Sequence, residues 1–104
     1  MIRKKNSELG NYISSVLNTE IFIECHDSCN QAISKYIYTI YIPVLQLNMH
    51  EKTHMELHYD FENVTKLFKS INLEVNSTNG INRGYFCSNH TEDIIITALK
   101  LKGY

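Results

Sequence analysis

Between Lys35 and Asp60 the chain reads KYIYTIYIPVLQLNMH, breaks at Glu51-Lys52, and continues as THMELHYD. Seven of the eight residues after Lys35 are aromatic or β-branched, a composition that suits a pleated surface and crowds a helix. The stretch reads as a strand pair. From Tyr36 to Ile42 both faces of the strand are apolar, which predicts a central strand covered on two sides. After the break, Met55, Leu57, Tyr59 and Phe61 alternate with His54, Glu56, His58 and Asp60, the pattern of a strand with one packed and one wet face.

The remaining segments supply partners for these strands. Leu9, Tyr12, Ile13, Val16 and Leu17 mark one face of a helix over residues 7–18, capped by Asn6 or Ser7. Glu20 to His26 alternates as a first strand, with Phe22 interrupting its polar face. Pro43 cannot donate a ladder hydrogen bond and predicts a bulge or an edge, beyond which Leu45, Leu47 and Met49 resume the buried parity. Asp60 is placed to cap a second helix through Phe61, Val64, Leu67, Phe68 and Ile71, with Asn72 as its left-handed terminus. A short strand at Leu73–Val75, a turn at Asn79-Gly80 and a return strand from Gly84 to Cys87 follow. Asn89 and Glu92 have the spacing of a capping box that opens a last helix, closed by Gly103. The expectation is one α+β domain over residues 1–104, a mainly antiparallel five-stranded sheet with three helices in the order α-βββ-α-ββ-α.

Charge and length narrow the function classes. A chain of 104 residues has room for one core, and a net charge of −1 provides no basic field to gather phosphates. There is no apolar run of about 18 residues, so no membrane span is expected. The start, MIRKKNSELG, lacks the apolar segment of a signal peptide, and three cysteines are odd in number, which together suggest the cytoplasm.

Three constellations carry candidate chemistry. Cys25, Cys29, Cys87 and His90 supply the ligand types of a Cys3His zinc site, so zinc is the alternative to having no cofactor. Neither pair is a CxxC, and Cys25 continues the buried parity of Ile21 and Ile23. His50, His54 and His58 repeat every fourth residue; on a strand they stand about 13 Å apart, and only a helix would bring neighbours within chelating reach. Cys25 and His26 are adjacent, and neighbours on a strand point to opposite faces, which works against a nucleophile and base pair. No glycine-rich phosphate loop, HExxH or GxSxG is present.

The first five predicted elements resemble the order of a double-stranded-RNA-binding domain, and the whole order resembles class I type III secretion chaperones, small dimers that hold an effector chain. Both are likenesses of element order alone. Phe61-Glu62-Asn63 stands where the RNA-binding domain opens its second helix with lysines, and the charge balance lacks a chaperone's acidic excess. Neither family is assigned. The aromatic count, seven tyrosines and four phenylalanines, favours a non-catalytic domain that occupies the surface of another protein, as inhibitors, toxin-immunity proteins and secretion chaperones do. A second copy of the chain is a further candidate partner. Tyr38, Tyr41, His54, Glu56, His58 and Arg83 are the candidate contact residues. The alternatives are a metal-dependent or nucleolytic enzyme built on the Cys/His set, and RNA binding through Arg3, Lys4, Lys5, Lys66, Lys69 and Arg83.

Overall fold

Thr53 and Glu56 decide how the middle of the chain folds. The Thr53 hydroxyl accepts from the Glu56 backbone N–H at 3.2 Å, and the Glu56 carboxylate accepts from the Thr53 N–H at 3.0 Å. This reciprocal capping box satisfies two of the donors that a helix N-terminus leaves unpaired. The computed structural model, which describes residues 6–27, 36–43, 53–78, 80 and 82–104, shows a helix from His54 to Lys69. The strand expected over residues 53–60 is therefore the opening of that helix. Alternation at 55, 57, 59 and 61 misled because Leu57, Phe61, Val64 and Phe68 also fall at helical spacing, and these are the residues that are buried. Met55 and Tyr59 lie exposed, at 83% and 64%.

The described elements are α1 (Glu8–Leu17), β1 (Phe22–Asp27), β2 (Tyr36–Tyr41), α2 (His54–Lys69), β3 (Asn76–Ser77), β4 (Arg83–Ser88) and α3 (Glu92–Leu101). They form a four-stranded antiparallel sheet in the order β1-β2-β4-β3. The α+β class holds, while five strands and the order α-βββ-α-ββ-α give way to α-ββ-α-ββ-α among the described residues. β2 stops at Tyr41, before Pro43; the continuation through Leu45, Leu47 and Met49 falls outside the described residues. The third-quarter strand sits at Asn76–Ser77 rather than at 73–75, where Leu73 and Val75 pack on the core instead. Asn72 does adopt the left-handed conformation, with φ 67°. The N-cap of α3 is Thr91 rather than Asn89. Glu92 turns away from a capping role and accepts the Leu9 N–H of α1 at 3.0 Å, joining the first and last helices.

All three helices lie on one face of the sheet. Register fixes which side chains they cover: Ile23, Ile40 and Gly84 form one row, and Cys25, Tyr38 and Phe86 the next. Ile21, Ile23, Tyr38, Ile40, Ile42 and Phe86 are buried with Leu9 and Ile13 of α1, Leu57, Phe61, Val64, Leu67 and Phe68 of α2, and Ile95 and Leu99 of α3. Tyr38 stacks on Phe86 at 4.8 Å between centroids, and Phe86 meets Phe68 at 4.7 Å.

Two glycines make close approaches that a Cβ would forbid. At Gly84 an added Cβ would stand 2.3 Å from the Phe61 ring and 2.5 Å from the Asn76 carbonyl oxygen, so bare backbone lets α2 press onto β4. At Gly10 it would stand 2.0 Å from Asn6 Oδ1. The space goes to the Asn6 amide, which donates to the Ile21 carbonyl and accepts from the Ile23 N–H at 3.0 Å. Ser14 adds a second pair of bonds to Ile21, both at 3.0 Å. Side chains thereby occupy the start of the outer edge of β1, which would otherwise offer unpaired groups to another strand.

Candidate functional site

The opposite face of the sheet carries the other parity of each strand. Its rows run Phe22, Tyr41, Arg83; then Glu24, Thr39, Tyr85; then His26, Ile37, Cys87. Every one of these side chains keeps solvent exposure, and none belongs to the buried core cluster. Covering of β2 on both sides, expected from its composition, is not what the described residues show. Tyr41 and Thr39 are half-buried on that face, and side chains that join apolar carbon to a hydroxyl suit such a position.

The face spans about 10 Å across three strands and about 14 Å along them, by ordinary strand spacings. At one end Phe22, Glu24, Thr39, Tyr41 and Arg83 line a depression of about 500 Å³. The Arg83 guanidinium lies over the Tyr41 ring, 5.1 Å from its centroid, a cation–π contact between two of the residues that line the depression. Among the described residues no carboxylate pairs with Arg83. At the other end His26 Nε2 sits 3.6 Å from Glu24 Oε2. Aromatic rings with an arginine and a mixed charged rim match the composition of protein-interface centres.

The candidate contact residues fall in three places. Tyr41 and Arg83 come together on the open face. Tyr38 has no exposed surface: its hydroxyl donates to the His90 carbonyl at 2.8 Å, and burial, aided by the neighbouring Cys25, raises its pKa well above the usual tyrosine range. It belongs to the core. His54, Glu56 and His58 stand on the first two turns of α2, in the helical layer, where Glu56 serves the capping box and His58 Nε2 meets Glu62 Oε1 at 3.1 Å. With residues 54–69 helical, His54 and His58 are one turn apart, but His58 is already paired with Glu62; His50 lies outside the described residues.

The zinc alternative meets a geometric obstacle. Cys25 shares its row with Tyr38 and Phe86, on the helical side, whereas Cys87 shares its row with His26 and Ile37, on the open side. The sheet separates the two thiols. Cys29 falls outside the described residues, and among those described no three His, Cys, Asp or Glu side chains gather as a metal site. His26 and Cys87 do share a face, but with β2 between them they stand about 10 Å apart, too far for base and nucleophile. The basic set also divides: Lys66 and Lys69 close α2, Arg83 projects from the opposite face, and Arg3, Lys4 and Lys5 lie outside the described residues.

Sequence reasoning passed over Phe22, Ile37, Thr39 and Tyr85 as functional residues. A signal was present in Phe22, the apolar residue on the polar parity of β1; register was needed to align it with Tyr41 and Arg83. No helix among the described residues is long and apolar enough to cross a membrane. Comparison of the chain with protein-family models, with curated proteins and with solved structures finds no match.

Proposed function

We propose that the protein is a non-catalytic protein-binding domain, of inhibitor, immunity or chaperone type, that acts in the cytoplasm by laying the open face of its sheet on a partner protein. The observation that carries this reading is the row Phe22, Tyr41, Arg83, backed by Ile37, Thr39 and Tyr85, on the side of the sheet away from all three helices. Such a face suits a partner surface with an apolar centre and a carboxylate placed to meet Arg83. Burying the rings supplies most of the affinity, since aromatic and arginine anchors dominate interface energetics. The arginine supplies orientation, because a charge left unpaired in a desolvated contact is costly.

A photo-crosslinking amino acid placed at Tyr85, compared with the same group at Lys66 on the helical layer, tests the reading in the cells that make the protein. One protein captured at position 85 and not at 66, and lost when Tyr41→Ala is added, supports it. Capture that does not depend on position, or substrate turnover abolished by Cys87→Ala, refutes it.

A further inference from the structure

α3 is apolar on more of its surface than the core uses. Ile95 and Leu99 are buried, yet Ile94 is 50% exposed and Leu101 84% exposed, with half-buried Ala98 between them. Spacings of four and three residues put Ile94, Ala98 and Leu101 on one stripe. Asp93, Thr97 and Lys100 follow along one flank of it. Asp93, Ile94, Thr97, Ala98 and Leu101 line a shallow groove of about 310 Å³ whose floor is small side chains between two large ones.

The charges have a symmetry of their own. Asp93 stands in the first turn and Lys100 in the last. Glu92, the other first-turn acid, is engaged by the Leu9 N–H. No cation pairs with Asp93 among the described residues, and Lys100 Nζ rests 5.6 Å above the Tyr12 ring, at the surface.

We infer that a second copy of this chain docks on α3, antiparallel and about a two-fold axis near Thr97 and Ala98, setting Ile94 against Leu101 and Asp93 beside Lys100 of the other copy. An isologous contact needs a surface complementary to itself after a half-turn, and this flank meets that condition: acid, small polar residue, base. With Ile94 level with Leu101 of the second copy, Asp93 and the opposing Lys100 differ by about two residues in height, or about 3 Å, within reach of a lysine side chain. Antiparallel pairing also opposes the helix dipoles. Parallel pairing would set Asp93 against Asp93. Ala98 near the axis lets the backbones approach, and Leu101 fills the groove beside it.

From Ile94 to Leu101 the stripe is about 10 Å long. That is less than a stable interface of about 800 Å² per partner requires, so the dimer is weak and depends on concentration. The contact lies on the helical layer and does not rest on the function assigned to the sheet face.

Sedimentation equilibrium of the whole protein over a range of concentrations tests it. The wild type should show a reversible monomer–dimer equilibrium. Leu101→Asp, at a side chain too exposed to matter to folding, should raise the dimer Kd about tenfold or more, since it puts a charge where the second copy would cover a leucine. Asp93→Lys should weaken the dimer, the double variant Asp93→Lys with Lys100→Asp should recover it, and Tyr41→Ala should leave it unchanged. A protein monomeric at every concentration, a dimer indifferent to Leu101→Asp, or one lost with Tyr41→Ala would overturn the inference.

Discussion

Gly84→Ala tests how the helical layer is seated on the sheet. Alanine at a glycine position ordinarily stabilises by about 0.4–1 kcal/mol when the backbone allows it, because the unfolded chain loses freedom. Gly84 is an ordinary strand residue that does not need a positive φ, so conformational preference alone predicts a gain. Packing predicts the reverse. The new methyl would stand 2.3 Å from the Phe61 ring and 2.5 Å from the Asn76 carbonyl oxygen, both far inside van der Waals contact. The ring can swing at a cost, but the carbonyl belongs to β3 and can move only with the edge of the sheet. Overpacking of this kind costs about 1–3 kcal/mol, which outweighs the entropic gain. Urea unfolding followed by circular dichroism should show a net loss of about 1–2 kcal/mol with an unchanged slope. Combining Gly84→Ala with Phe61→Leu removes the ring contact and should recover part of the loss, a coupling that distant residues would not show. A neutral or stabilising Gly84→Ala would mean that α2 does not press on β4 at this point.

Three other perturbations probe separate joints. Tyr38→Phe removes the hydroxyl that donates to the His90 carbonyl and should cost about 1 kcal/mol near neutral pH. Because the folded-state pKa of Tyr38 is raised, its contribution is whole below the ordinary tyrosine value of about 10 and is lost as pH climbs through the folded value; unfolding series at rising alkaline pH should therefore show stability falling less steeply in Tyr38→Phe than in the wild type. Thr53→Ala breaks the capping box and should lower stability by about 0.5–2 kcal/mol in thermal unfolding, whereas a strand at this position would hardly register the change. Asn6→Ala strips the edge of β1 of its side-chain partner and should both destabilise by about 1–2 kcal/mol and speed amide exchange at Ile23, read by hydrogen–deuterium exchange.

Where the fold depended on composition and local spacing, the sequence was a good guide. α1, the run from Tyr36 to Tyr41 and the return strand ending near Cys87 follow from helical spacing and β-branched content. Over residues 54–60 a period of two and a period of 3.6 agree, and the deciding pair is a capping box in which Thr53 stands just before the alternation and Glu56 inside it. Asn6 is visible in the sequence only as a candidate cap; that Gly10 makes room for its amide, which then occupies the edge of β1, is a tertiary fact. The candidate site was half legible. Tyr41 and Arg83 stood out as an aromatic and a cation, but their pairing across β2 and β4, and the company of Phe22, depend on register between strands far apart in sequence. Tyr38 illustrates the converse: the residue type that suits an interface also suits a core when its hydroxyl finds a buried acceptor.

The helices cover one face of the sheet, and the other is the face proposed to receive a partner. Hydroxyl-radical footprinting of the protein, alone and with the protein captured at position 85, distinguishes the two faces. Phe22, Tyr41 and Tyr85 should be oxidised readily in the free protein while Tyr38, Phe68 and Phe86 are spared, and the partner should protect the first set alone. Protection of Tyr41 and Tyr85 already in the free protein, or a partner that shields α2 and leaves these rings reactive, would contradict that assignment of the faces.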